Sequence, residues 1–247
     1  MSRLDQVLVE RGLCDSREKA KRAVMAGSVR INGNVARKPS DAVKPQDELT
    51  LDMPERFVSR GGHKLEHALD HFGLSVSGLT AVDLGASTGG FTDCLLQRGV
   101  AKVYAVDVGQ GQLAWKLRQD PRVVVMEKIN ARHLRIAEFP QPFLPADLVV
   151  IDCSFISLRK IIPAAVDLLG PSGKIVALIK PQFEAGKAEA DRGAGVIADP
   201  AIHLRVLREL EDFVAREQGL AWRAATESPL LGPAGNKEFL VLIEKTH

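Results

Sequence analysis

Apolar positions recur both at helical spacing and as short strand-like runs, in a compact group at the front of the chain and in long alternation further on. Leu4, Val7 and Leu8 mark one face of a short helix, with Gly12 at its expected end. Asp15 and Glu18 have capping-box spacing ahead of a second helix, with Ala20, Val24 and Met25 inward and Gly27 closing it. Val29-Arg30-Ile31 and Asn34-Val35 flank Asn32-Gly33, the preferred two-residue hairpin turn, and Leu49-Thr50-Leu51 adds a last strand. These elements make a small α+β unit over residues 1–51. A linker is expected at 52–59, where Pro54, Arg56 and Phe57 interrupt the patterning. The stretch Arg60-Gly61-Gly62-His63-Lys64-Leu65 then leads a helix with Leu65, Ala68, Leu69 and Phe72 inward and Gly73 at its end.

From residue 80 onward, strands and helices alternate. Strands are expected at 80–84, 102–107, 122–127, 148–151 and 174–179, and helices near 91–98, 112–118, 158–169 and 200–217. That alternation predicts an α/β unit over residues 60–247 with a largely parallel sheet. A final pair of runs, 221–226 and 238–243, predicts an antiparallel hairpin at the sheet edge. Residues 185–198 are small, charged and glycine-rich; a lid over a site and a plain connection both fit them.

The stretch 80–93 carries the first chemical signal. A short apolar run ends on Asp83, and a turn rich in glycine (Gly85, Gly89 and Gly90) leads into a helix. Such a turn beyond a strand's carboxyl end is where open α/β sheets bind ligands. Position 87 is Ser, so the middle glycine of a dinucleotide fingerprint is missing, and Asp83 is a poor neighbour for a pyrophosphate. The same acid suits a cofactor that carries an ammonium and a sulfonium. The next strand ends on Asp107, placed to accept hydrogen bonds from ribose hydroxyls. The two acids and the glycines together point to S-adenosylmethionine.

Composition narrows the class. The 247 residues are 45% hydrophobic and 26% charged, as in a globular protein, with no apolar run of membrane-spanning length and no signal-peptide core. Cys14, Cys94 and Cys153 are too few and scattered for a disulfide framework or a zinc site, so a reducing cytoplasm is expected and no metal. His63 and His71 read as surface or packing residues. Residues 1–51 hold 10 Lys/Arg against 7 Asp/Glu, whereas the rest hold 23 against 24. The basic character is thus concentrated in the front unit, on a helix face with Arg17, Lys19, Lys21 and Arg22 and a hairpin with Arg30, Arg37 and Lys38. A phosphate-binding surface is expected there.

Charged residues also end the buried runs. Val149-Val150-Ile151 meets Asp152, Val176-Ala177-Leu178-Ile179 meets Lys180, and Glu238 opens the last run. In a parallel sheet the strand ends converge on one crevice, so Asp152 and Lys180 are expected near the Asp83 turn.

Two resemblances follow from these residues. Arg3-Leu4-Asp5, Ser16-Arg17, Ala20, Ala26-Gly27-Ser28-Val29, Ile31-Asn32-Gly33 and Lys38-Pro39-Ser40 resemble the RNA-binding domain of ribosomal protein S4. The resemblance implies that the second helix and hairpin face structured RNA, with Arg3, Arg17, Lys21, Arg22 and Arg30 as candidate contacts. Residues 60–247 resemble FtsJ-like 2′-O-ribose methyltransferases, a Rossmann-like fold whose Lys-Asp-Lys-Glu tetrad matches Lys64, Asp152, Lys180 and Glu238 in chain order. Taken whole, the chain is similar to the TlyA family, described both as haemolysins and as rRNA cytidine 2′-O-methyltransferases. The resemblance implies an S-adenosylmethionine-dependent enzyme acting on ribosomal RNA or an assembled subunit. Asp83, Gly85, Ser87, Gly89, Gly90, Asp107, Val108 and Asn130 are then the candidate cofactor residues, and Lys180 the group that takes or polarises the hydroxyl proton. Because the sulfonium already activates the methyl, no metal is called for. The chain begins almost directly on the first helix, as in the group that modifies the large subunit alone, and has Phe57 near where other members carry Arg-x-Trp. Two rival classes remain, a pore-forming haemolysin and a non-catalytic RNA-binding assembly factor. Liposome leakage and calorimetry with S-adenosylmethionine would distinguish them.

Overall fold

A computed structural model describes residues 2–52, 55–217 and 219–246, which divide into compact units at 1–56 and 57–247. In the first unit, β1 (Ser2–Arg3) runs into α1 (Leu4–Glu10), followed by α2 (Arg17–Met25), β2 (Val29–Ile31), β3 (Asn34–Val35), β4 (Ala42–Val43) and β5 (Leu49–Leu51). The α2 cap is Ser16 rather than Asp15. Ser16 is extended and its hydroxyl accepts the Lys19 N–H at 3.3 Å, whereas the Asp15 carboxylate pairs with the Lys19 ammonium. Asn32 and Gly33 both have positive φ (50° and 80°), as a type I′ turn between β2 and β3 requires. The three strands order as β3-β2-β5, while β1 pairs with β4, a two-residue ladder with too little periodicity to read in the sequence. Leu4, Leu8, Ala20, Val24 and Val29 form the core. Met25, expected inward, is 74% exposed because it is the last helical residue and lies beyond the packed turn.

The second unit contains α3 (Gly61–His71), β6 (Thr80–Leu84), α4 (Gly90–Gln97), β7 (Lys102–Asp107), α5 (Trp115–Arg118), β8 (Val123–Glu127), β9 (Ala146–Ile151), α6 (Ile162–Leu168), β10 (Leu169–Ile179), α7 (Pro181–Glu184), α8 (Lys187–Arg192), α9 (Pro200–Arg216), β11 (Leu220–Glu227) and β12 (Phe239–Lys245). The seven strands order as β11-β12-β10-β9-β6-β7-β8, parallel from β10 to β8, with β12 antiparallel to both its neighbours. This is the expected Rossmann-like sheet, largely parallel with an antiparallel edge. Helix α5 is shorter than the expected 112–118, because Gly111 has φ 73° and its N–H is bonded to Glu127, which holds the preceding residues as a loop.

Strand periodicity explains the layers. Val82, Leu84, Val149, Ile151 and Ile175 pack on one face, where α9 inserts Val206, Leu210 and Val214 at helical spacing. Ala81, Val103, Ala105, Leu148 and Val150 pack on the other, against α3 and α4. Each large side chain buried in this way contributes roughly 1.5–3 kcal/mol. Phe57, expected in the linker, belongs to this second core, and its ring fills the space where a side chain on Gly62 would stand. His63 meets the Phe57 ring edge-on, and His71 stacks on His67. Within 185–198, the far end is pinned: Asn236 accepts from Ile197 N and donates to Gly195 O, each at 2.8 Å. Chain order reverses between β6 and β9, so the crevice favoured for ligands opens at their carboxyl ends.

Candidate active site

The turn after β6 is built around close approach. Gly85 has φ 88°, and a Cβ there would stand 2.7 Å from the Asp152 carbonyl oxygen, so only glycine lets the ends of β6 and β9 meet. Ser87 also has positive φ (48°), and its N–H is fixed by Asp107 at 2.8 Å. Gly89 lines neither cavity at this site. Its φ of 98° and the Leu117 methyl 2.2 Å from its would-be Cβ show that it serves the packing of α5. Gly90 is close-packed against Ser59 and the Gly62 backbone.

Two cavities open beyond these strand ends. The first, about 280 Å³, is lined by Lys64, Asp152, Lys180 and Glu238 together with the Gly85–Thr88 turn, Arg60 and Phe91. The four tetrad residues are therefore brought together, as two ion pairs. Lys64 on α3 is paired with Glu238, both buried, and Lys180 Nζ lies 2.6 Å from Asp152 Oδ1. The second contact has the distance of an ion pair without the angles of a hydrogen bond, so Asp152 Oδ1 is a buried acceptor with no hydrogen-bond partner among the described residues. The directed bond of Lys180 goes instead to Ser154 Oγ, at 2.8 Å.

The second cavity, about 530 Å³, shares Gly85, Ser87, Asp152 and Ser154 with the first and is otherwise lined by Asp107, Val108, Gln112, Asn130 and apolar side chains including Val106, Ile129 and Ile156. Asp107 takes the Gly109 N–H at 2.7 Å as well as that of Ser87. Asn130 accepts the Arg132 N–H and so caps the turn that forms the cavity rim. Burial pushes the Cys153 thiol up to about 12, which makes it a neutral wall.

Asp83, expected to meet a cofactor ammonium, lines neither cavity. Strand alternation turns it to the α4 face of the sheet, fully buried, where Thr92 Oγ1 donates to Oδ2 at 2.7 Å and Oδ1 has no partner among the described residues. Burial raises this carboxyl to about 7 against the opposing Thr92 bond.

In the first unit, Arg3 and Arg17 converge on buried Asp5, at 3.0 and 3.1 Å. Arg30 pairs with Asp52 and Lys21 with Glu18. Arg22 is exposed and has no ion pair among the described residues.

Residues 57–245 match the FtsJ-like methyltransferase family, and residues 2–49 match the S4 domain. The 16S/23S rRNA (cytidine-2′-O)-methyltransferase TlyA of Mycobacterium tuberculosis is 47% identical, over 97% of this chain and 88% of that protein. The 23S rRNA (cytidine-2′-O)-methyltransferase TlyA of Campylobacter jejuni is 30% identical, over 94% and 95%. A solved structure from Streptococcus thermophilus, named as a candidate hemolysin, is 46% identical and superposes with a TM-score of 0.74, covering 99% of this chain and 88% of that one.

The chain belongs to the TlyA family.

As a TlyA-family methyltransferase it uses S-adenosylmethionine, and the larger cavity fits that group. Asp107 offers further lone pairs to ribose hydroxyls, the apolar walls suit a base, and Gly85 and Ser87 of the glycine turn line both cavities. Several residues that line the two cavities are not among those expected from the sequence: Arg60, Gln112, Ser154, Phe155 and Ile156. Phe155 carries the strongest signal, since it is 90% exposed with φ 63°, but neither property is visible in a sequence. Among the described residues, no helix is long and apolar enough to cross a membrane, and no group of three His, Cys, Asp or Glu is placed to hold a metal ion.

Proposed function

We propose that this protein methylates the 2′-hydroxyl of a cytidine in ribosomal RNA, in the cytoplasm, with the S4 unit docking structured RNA. The large-subunit RNA is the proposed substrate, because 23S rRNA is common to the names of the Mycobacterium and Campylobacter relatives. The observation that carries the chemistry is the shared wall. Asp152 and Ser154 line both cavities, and Lys180 is held against that wall from the smaller one.

S-adenosylmethionine, when bound, supplies a methyl already activated by its sulfonium. What remains for the protein is alignment and proton removal. Lys180 enters the step as the free amine, its own proton already released to solvent; Nζ takes the ribose proton as the oxygen acquires the methyl, and Asp152 holds the resulting ammonium. Lys64, tied to Glu238 beside the same cavity, steadies the ribose or its phosphate. Val108 and Asn130 line the cofactor side with Asp107, while Asp83, Gly89 and Gly90 shape the turn.

Mapping ribose methylation on rRNA by mass, after incubation with enzyme and cofactor, tests the reaction. Lys180→Ala should slow single-turnover methylation by ~10²–10⁴ with cofactor affinity intact. Lys180→Arg should not rescue it, since guanidinium stays protonated. A near-normal rate in Lys180→Ala would remove Lys180 as the proton acceptor and turn attention to Lys64. Leakage of dye from liposomes by the purified protein, without methylation of rRNA, would support the haemolysin reading instead.

A further inference from the structure

A neutral lysine amine has two N–H bonds and one lone pair. Its stem is long and flexible, so proximity to a carboxylate attracts the nitrogen without fixing where the lone pair points. In this site the contact to Asp152 is of that undirected kind, close at 2.6 Å but outside hydrogen-bond geometry. The contact that does constrain direction is the hydrogen bond from Lys180 Nζ to Ser154 Oγ at 2.8 Å. With one N–H on Ser154 and the other drawn to Asp152, the lone pair is left for the cavity.

Ser154 is itself well held. Its loop leaves β9 at Asp152, and the far end is clamped by buried Glu184, which accepts from Ser157 Oγ at 2.6 Å and from Leu158 N at 2.7 Å. Glu184 and Lys180 lie at the two ends of one short segment, the latter directly before α7, so a single piece of chain grips the loop at both ends. Between them, Phe183 packs on Phe155 with ring centroids 5.1 Å apart.

We infer that Ser154 is a positioning residue for methyl transfer: its hydroxyl oxygen orients the Lys180 amine toward the ribose 2′-hydroxyl. This rests on the reading of Lys180 as the proton acceptor. The side chain is exposed to the cavities, so neither removing the hydroxyl nor adding a methyl should disturb the fold.

The test uses the full-length protein, rRNA and S-adenosylmethionine under single-turnover conditions. Ser154→Ala should slow methyl transfer by about 10–100-fold, the scale expected when a reacting group is misaligned. Its KM for RNA and its cofactor affinity should stay within about twofold of the parent. Ser154→Thr, which keeps the oxygen, should recover most of the rate. Adding Ser154→Ala to Lys180→Ala should cost nothing further, because the serine acts through the lysine. A parental rate in Ser154→Ala, an equal loss in the Lys180→Ala background, or no recovery in Ser154→Thr would each overturn the inference. A parental rate in Lys180→Ala would instead remove the reading on which it rests.

Discussion

Each oxygen of the Asp107 carboxylate already takes a backbone N–H, from Ser87 at 2.8 Å and from Gly109 at 2.7 Å. The lone pairs that remain are therefore fixed in direction before any ribose arrives. Asp107→Ala loses both the acceptors and the bracing of the turn, and should weaken S-adenosylmethionine binding by roughly 1–3 kcal/mol. Calorimetry that shows parental affinity would put the ribose elsewhere. Asp83 is a different kind of acid, with its carboxyl raised by burial to about 7. The folded protein thus holds this proton more tightly than the unfolded chain does. The carboxyl costs no stability below about pH 4, withdraws it progressively as pH climbs toward 7, and imposes a constant loss above that. Asp83→Asn keeps an acceptor for the Thr92 hydroxyl and cannot ionise. Without cofactor, its melting temperature should gain on the parent by several degrees between about pH 5 and 8, with little difference at pH 4. Parallel melting curves across that range would contradict this account of Asp83.

At the scale of elements, the site depends on β6 and β9 ending side by side. Gly85→Ala would force a side chain to within 2.7 Å of the Asp152 carbonyl, at a φ of 88° that itself costs an L-residue ~1–3 kcal/mol. The strand ends should separate, and cofactor binding and methylation should fall together, by about tenfold or more. Thermal melting beside calorimetry checks this, and retained cofactor affinity would show that the close approach is dispensable. The strands themselves were legible because parallel strands covered on both faces read as continuous apolar runs, and Asp152 and Lys180 stood out as the charges that ended them. Ser154 was not legible: a loop serine gains meaning only through Lys180, 26 residues away in sequence and 2.8 Å away in space. Asp83 misled because a strand-end acid looks the same whether alternation turns it toward the crevice or under α4. The short ladder of β1 with β4 has two residues per strand, below what any period can show.

At the scale of the whole molecule, each unit has a hydrophobic core of its own, and the tetrad, both cavities and the glycine turn all lie within residues 57–247. Deleting residues 1–56 should therefore spare S-adenosylmethionine binding and abolish methylation of ribosomal substrate. The finer prediction concerns how the S4 unit holds RNA. Arg3 and Arg17 share buried Asp5, so their guanidinium groups are locked in place by the fold, and changing either one risks the core. Lys21 and Arg22 are better probes. The Lys21–Glu18 pair is exposed and worth little, and Arg22 has no ion pair among the described residues. If both lysine and arginine meet phosphates, Lys21→Glu with Arg22→Glu removes about two counterion-releasing contacts. The slope of log affinity against log salt should then shallow by roughly 1.4–1.8. Cofactor affinity and the methyl-transfer rate at saturating RNA should stay near parental, since neither residue lies in the unit that does the chemistry. RNA binding measured across a salt series gives the slope directly. An unchanged slope with weaker binding would mean that the reversal damaged the S4 fold, and an unchanged affinity would mean that RNA is held by another face.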